Sequence, residues 1–469
     1  MPTSATSTEA GAAAATAIRR FDALTRKDVA FAGGKGANLG EMTWAGLPVP
    51  PGFVVGAPAY QAFCEQTDLR ARLAAVLDGV DVEDTAALQA AADRARALVA
   101  ESPMPSWLHD AIVSAYRELD GGAAPVAVRS SATAEDTESA SFAGMNETFL
   151  NIRGEEAVVE AVQRCWASLF GARTVFYRAK RGFSQAGMDI AVVVQQQIPS
   201  TRAGVMFTID PSTGRGDRIV IEGSFGLGES VVSGSVSPDR YVVDKDTRAI
   251  VAQEVNPKQL VVEPLPGSGT TTRDARGDER MARVLSDEEV RELAELGVRI
   301  EEHYGAPQDT EWAFDPDGTA WMLQSRPVTS AGGEAPAAPA GGLAAEPLVR
   351  GLGAAPGSGS GAVHRVRTLA DAGDFSAGEV LVTHMTAPDW VPLMRRAAAI
   401  VTDSGGMTCH AAIVSRELGV PCLVGTGNAT TVLRDGETVT VDAGAGVVTA
   451  GTHPAVATPA PSPAAAPAP

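Results

Sequence analysis

Cysteine is scarce in this 469-residue chain, which has four: Cys64, Cys165, Cys409 and Cys422. Scattered so widely, they form no disulfide framework of the kind small secreted domains use, and a cytoplasmic setting is expected. Long apolar runs are missing as well. Although 45% of the residues are hydrophobic, no uninterrupted stretch approaches the ~20 residues of a membrane-spanning helix. Basic charge is in deficit, with 38 Lys and Arg against 57 Asp and Glu and a formal charge of −19. That balance discourages partnership with nucleic acid or an anionic membrane, while leaving room for a local basic phosphate site. The N-terminal MPTSATSTEAGAAAATAIRR puts its alanines ahead of its arginines, the reverse of a signal peptide. Neither the P-loop GK[ST] nor HEXXH occurs, and there is no convincing internal repeat.

What is present divides the chain by composition. Residues 1–17 read as a flexible leader and 18–329 as a mixed α/β body. Residues 330–347, rich in Ala, Pro and Gly, read as a linker, and 348–450 alternate short valine-rich strands with glycine turns and one or two helices. The last segment, 451–469, is a Pro/Ala tail that does not suit compact folding. The chain is long enough to bury two good cores.

Several stretches of the body carry chemistry. In FAGGKGANLGEM, Gly33, Gly34 and Gly36 surround Lys35, with a helix expected to start near Ala37. Helix-start amides and an ammonium suit phosphate, although a plain glycine turn reads equally well. In VAVRSSATAEDTESASFAGMNETFLNI, Arg129 is expected at a strand end beside Ser130, Ser131 and Thr133. A guanidinium fork there suits phosphoryl oxygens; the bland alternative pairs Arg129 with Glu135 or Asp136. Glu222 lies on an apolar strand before the Gly226–Gly228 turn, where a carboxylate could receive ribose hydroxyls or an adenine amino group. Finally, EWAF and WMLQSR flank DPDG, a hairpin pattern. Pairing around that turn sets Glu311 beside Gln324, with Arg326 two residues on and on the same face. A carboxylate and an amide oxygen beside an arginine make a platform for Mg²⁺ and triphosphate. A surface hairpin with a salt bridge is the alternative.

The stretch TDSGGMTCHAAIVSREL holds His410 after a polar, glycine-rich turn. No second ligand sits at metal spacing, and Cys409 is adjacent, so the two side chains diverge on a helix. What is left is a histidine in the first turn of a helix, where free amides and Thr408 stabilise an anion on the ring nitrogen. A packed core histidine is the competing explanation, but it has no need of the GGMT preface. Cys409 beside His410 is expected to offer a way of blocking the site by oxidation or alkylation.

Taken in order, GGKGANLGEM, PVPPGFVV, AVRSSATAEDTESASFAGMNETFLNI, GVMFTIDPSTG, EGSFGLGESVVSGSVSPDRYVV, DTEWA, LQSRPV, TAPDWVPLM and TDSGGMTCHAAIVSRELGVPCLVGTG resemble the phosphoenolpyruvate synthase (pyruvate, water dikinase) family, relatives of pyruvate phosphate dikinase and rifampin phosphotransferase. The resemblance implies a multidomain α/β and α+β chain: an ATP-grasp-type nucleotide-binding domain at 18–329, then a swivelling β/β/α phosphohistidine domain at 348–450. It implies that ATP and Mg²⁺ are used, with Lys35, Arg129 and Arg326 on the phosphates, Glu222 near the nucleoside, Glu311 and Gln324 on Mg²⁺, and His410 as nucleophile. It further implies AMP release and a pyrophosphorylated intermediate that loses phosphate. The family's pyruvate-binding barrel, which needs roughly 250 residues, is not read in this sequence. Onward transfer is therefore expected to use a separate acceptor domain or protein. The alternatives are a small-molecule phosphotransferase with its acceptor between the domains, and a non-catalytic ATP sensor.

Overall fold

The computed structural model describes residues 17–82, 84–133, 147–181, 187–328, 346–387, 390–407 and 409–452. Most of the leader, the linker and the tail, together with Glu135, Asp136 and Thr408, lie outside the described residues. Two compact units divide the chain. The first contains the described residues up to 210 together with 216–232 and 238–328, and the second contains 211–215, 233–237 and 346–452. The architecture is multidomain, α/β and α+β, with a separable β-rich second unit.

The first unit is built on two larger sheets. One has five strands in the order Ile18–Arg20, Gly52–Val55, Ile190–Gln196, Val126–Ala132, Thr148–Ile152. Alternation along these strands sorts the side chains: Val126, Val128, Val192 and Val194 face a core with helices Ala57–Gln66, Thr85–Glu101, Ser106–Arg117 and Glu155–Ala167. The other face, with Ala191 and Val193, packs into a second core on helix Val29–Trp44. The second sheet runs Ala320–Pro327, Gln308–Phe314, Arg202–Phe207, Arg218–Phe225, Asp239–Asp244, Ile250–Glu254, every neighbour antiparallel. Its residues Met206, Ile221, Tyr241 and Trp312 face the same second core, closed by helix Asp287–Tyr304. That helix starts with a capping box from Ser286 and Glu289 and stops at Gly305, whose φ is +71°.

The first helix differs from its sequence expectation. It spans Val29–Trp44 rather than starting near Ala37, and it breaks at Gly33, where φ is 66° and ψ is 174°. Only glycine fits there, because a Cβ would lie 2.3 Å from Ser131 Oγ and 2.4 Å from Ser131 O. The glycine run is thus a close approach of helix to strand.

In the second unit, eight strands form one sheet in the order Val349–Arg350, Val447–Ala450, Thr438–Asp442, Ser358–Arg365, Val380–Thr383, Ala399–Thr402, Cys422–Val424, Leu352–Ala355. Neighbours from Ser358–Arg365 to Cys422–Val424 are parallel and the other pairs antiparallel. Parallel neighbours require crossovers. Helix His410–Leu418 is one of them, leaving strand Ala399–Thr402 and returning to Cys422–Val424. Its N-terminus therefore lies beyond the carboxyl ends of the parallel strands, the end of an α/β sheet where ligands bind.

Candidate active site

The register of the second sheet lines up charged residues across it. Gln324 pairs with Glu311, Glu311 with Val205, Val205 with Glu222, and Glu222 with Arg240. Paired residues share a face, so this row lies on the face opposite Met206 and Ile221. Glu311 and Gln324, expected close together, are directly opposite, because a register shift after Trp312–Met322 passes over Leu323. Arg326 pairs with Asp309 and binds it, Nε to Oδ2 at 2.9 Å and Nη2 to Oδ2 at 2.8 Å. Glu222 is fully buried two strands from Glu311, and Arg240 Nη2 lies 4.0 Å from Asp210 Oδ2.

Arg129 joins this group from the other sheet. It sits in the middle of strand Val126–Ala132 rather than at its end, paired with Val193 and hence facing the second core. Its Nη1 donates to the Leu323 carbonyl at 3.2 Å and lies 3.6 Å from Glu311 Oε2. The residue is 8% exposed, and its Nε is buried without a hydrogen-bond partner among the described residues.

The hydroxyls beside Arg129 bind backbone groups. Ser131 Oγ donates to Ala32 O at 2.8 Å and accepts from Gly36 N at 3.3 Å. Ser130 Oγ accepts from Glu147 N at 3.0 Å, and Thr133 Oγ1 donates to Asp189 O at 3.1 Å. These bonds fasten the helix and loops to the strand, because buried backbone groups need partners. Lys35, half-buried, follows the Gly33 break in the turn that Ser131 holds.

In the second unit, Nδ1 of His410 and Oγ1 of Thr386 are 2.9 Å apart. Thr386 is 4% exposed and follows the parallel strand Val380–Thr383, which neighbours the strand leading to His410. Cys409 is the N-cap, and its own side chain makes no capping hydrogen bond. Gly405, at φ +112°, packs against the Cys409 side chain, since a Cβ there would lie 2.7 Å from Sγ. Arg416 Nη2 donates to Met407 O, and its Nε donates to Ala412 O at 3.2 Å, so one side chain braces the loop before the histidine. Asp403 accepts from Thr430 N at 3.0 Å and from Thr430 Oγ1, tying the SGG turn to the following helix.

Cys409 is completely buried, which opposes the expectation that oxidation or alkylation reaches it. Burial also pushes the neighbouring Cys422 thiol up to about 12.

Sequence reasoning missed Thr386, Asp309 and the Leu323 carbonyl. Hairpin counting finds Asp309, since it lies two residues before Glu311 and opposite Arg326. Nothing in sequence spacing links Thr386 to His410, 24 positions away.

Among the described residues no group of three or more His, Cys, Asp or Glu forms a metal cluster, and no helix is long and apolar enough to cross a membrane. Comparison with known proteins places the molecule. Residues 29–343 match the family described as pyruvate phosphate dikinase, AMP/ATP-binding domain, and 375–446 match the PEP-utilising enzyme, mobile domain. The chain belongs to this phosphoenolpyruvate synthase and pyruvate phosphate dikinase family. It is 50% identical over 432 residues to the probable phosphoenolpyruvate synthase of Methanothermobacter thermautotrophicus, covering 91% of this chain and 62% of that protein. It is 44% identical over 475 residues to the phosphoenolpyruvate synthase of Pyrococcus furiosus, covering 92% of this chain and 58% of that protein. The chain thus spans about three-fifths of the length of these relatives. Among solved structures, D-alanyl-alanine synthetase A of Vibrio cholerae aligns at a TM-score of 0.25 and 9% identity over 63% of this chain and 55% of that one, too distant to bear on the fold.

Proposed function

We propose that this chain uses Mg-ATP to phosphorylate its own His410, releasing AMP and phosphate, for transfer to pyruvate or another acceptor held by a separate domain or protein. In this reading the first unit is an ATP-grasp-type nucleotide-binding domain at 18–329 and the second a swivelling phosphohistidine domain at 348–450. The observation that carries the reading is the pairing of Glu311 with Gln324 beneath a nearly buried Arg129 whose Nε is unpartnered.

The donor set fits the implied groups. Magnesium keeps few protein oxygens and completes its shell with phosphate and water, and one carboxylate plus one amide oxygen suits that habit. Bound there, the ion would neutralise charge on the phosphates and hold them in line. Arg129 offers its guanidinium edge to a phosphoryl oxygen, and Arg326, oriented by Asp309, offers a second. Lys35 adds a point charge, and Glu222 contributes at the nucleoside end.

His410 performs the displacement. Thr386 engages Nδ1, so Nε2 is the nucleophile and the tautomer is set by the hydroxyl. Attack of Nε2 on the β-phosphorus breaks its bond to the AMP oxygen, and AMP leaves. Water then cleaves the terminal phosphate, leaving phosphohistidine. The first amides of helix His410–Leu418 favour the negative charge on the ring. Alignment and charge neutralisation are the main requirements of phosphoryl transfer.

The test is incubation with Mg²⁺ and β-labelled ATP beside a His410→Ala control. Acid-labile label on the wild type alone, with AMP formed, supports the reading. ATP binding with neither label nor AMP sinks it and favours a nucleotide sensor. Turnover with a small acceptor and no added protein points to a small-molecule phosphotransferase.

A further inference from the structure

We propose that the β-bulge at Leu323 is a positioning device for Arg129, turning a backbone carbonyl onto the guanidinium so that its remaining edge is held for an anionic phosphate. This rests on the nucleotide reading above and deepens it. Glu311 pairs with Gln324, and the next residue, Trp312, pairs with Met322, so Leu323 has no partner across the hairpin. An extra residue disrupts the ladder locally. A regular hairpin lacking it would still set Gln324 opposite Glu311 and Met322 opposite Trp312, with both faces correct. Side-chain placement therefore does not require the bulge.

What the bulge supplies is an acceptor. The Leu323 carbonyl takes a hydrogen bond from Arg129 Nη1 at 3.2 Å. A carbonyl orients a guanidinium without cancelling its charge, whereas a carboxylate does both. Glu311 Oε2, at 3.6 Å, lies outside hydrogen-bond range of the same nitrogen. The Arg129 Nε is buried and unpartnered. A guanidinium anchored at one nitrogen and unsatisfied at another is prepared for an oxygen-rich anion, since its planar fork fits phosphate along an edge. The anchor also outlasts any change at Glu311: if that carboxylate turns to a cation, the carbonyl still holds the arginine.

The experiment measures affinity for ATP and ADP by calorimetry on the full chain, with melting temperature as the check on folding. Deleting Leu323 is expected to leave the melting temperature within a few degrees and to raise Kd about tenfold or more, the usual scale of a hydrogen bond to a charged group. Leu323→Ala, which keeps the carbonyl, is expected to cost less than about threefold on the same scale. In an Arg129→Gln background the deletion is expected to add almost nothing, because the bulge acts through that side chain. Wild-type affinity in the deletion variant overturns the inference, as does an equal loss with Arg129 already replaced. A wild-type chain that binds no nucleotide overturns the nucleotide reading first, and this inference with it. Should the deletion variant not fold, NMR of ¹⁵N-arginine-labelled protein decides. Slow rotation of the Arg129 guanidinium that persists in Glu311→Gln supports the carbonyl anchor, and free rotation in that variant overturns it.

Discussion

Thr386 Oγ1 meets His410 Nδ1 at 2.9 Å, a contact made possible because both residues emerge at the carboxyl ends of adjacent parallel strands. Under the proposed mechanism, this contact leaves Nε2 to act as the nucleophile. Thr386→Val is nearly isosteric and removes only the hydroxyl. Label transfer from ATP to His410 is expected to slow by about three- to tenfold, the worth of one neutral hydrogen bond. Thr386→Ser is expected to recover most of the rate. Single-turnover labelling measures both, and an unchanged rate in the valine variant removes Thr386 from the mechanism.

Glu311 is the one carboxylate of the Glu311–Gln324 pair. Replacing it with Gln is expected to raise the Mg²⁺ concentration needed for half-maximal labelling by about tenfold, since a hard cation loses its charged oxygen. Without Mg²⁺ the same variant is expected to bind ATP at least as tightly as the wild type, because Arg129 loses a competing carboxylate at 3.6 Å. Metal titrations of labelling and metal-free calorimetry read the two halves separately. Weaker metal-free binding would contradict the assignment.

All four cysteines are buried thiols. The Cys165 thiol is pushed upward by burial, and Cys422 rises to about 12 for the same reason. Thiolate is the reactive form. The native protein is therefore expected to react slowly with iodoacetamide, with all four thiols titrating only in denaturant. Labelling of His410 is expected to survive the treatment. Rapid modification of Cys409, mapped by mass spectrometry, is the contrary result.

Glu279 illustrates how pH acts on stability. Hydrogen bonding to Arg273 holds its carboxyl well down, at about 2 against an ordinary 4.5, with burial opposing. A carboxylate depressed in the folded state stabilises the fold above its unfolded pKa, and that stability is lost as pH falls through the folded value. The wild type is thus expected to melt about 2 °C above Glu279→Gln at pH 7, the scale of a partly exposed ion pair. The gap should close progressively between pH 4.5 and about 2. Melting curves of the two proteins across that range test the sign, and a gap that widens on acidification refutes it.

The readable part of the site was the part encoded by local periodicity. DPDG between two alternating runs marked the hairpin and brought Glu311 near Gln324, but counting outward from Phe314–Ala320 through Trp312–Met322 would put Glu311 opposite Leu323. The bulge at Leu323 shifts the register by one and makes Gln324 the partner, which no regular hairpin count anticipates. Helix His410–Leu418 was legible from its GGMT preface; the structure ends it at Gly419, at φ +66°. The backbone bonds of the hydroxyls beside Arg129 were not legible, since their partners Ala32, Glu147 and Asp189 lie far away in sequence.

By itself, the sequence determined the α/β body, the valine-rich β unit and the hairpin, and it singled out residues whose chemistry suits phosphate. These follow from spacing and side-chain chemistry, which act over a few positions. Tertiary structure alone decided that Gly33 presses on Ser131, that Arg129 leaves its own sheet to meet the Leu323 carbonyl, and that Thr386 holds His410. Each of these contacts joins residues from different strands or helices. Sheet order and register set such meetings, and no local pattern records them.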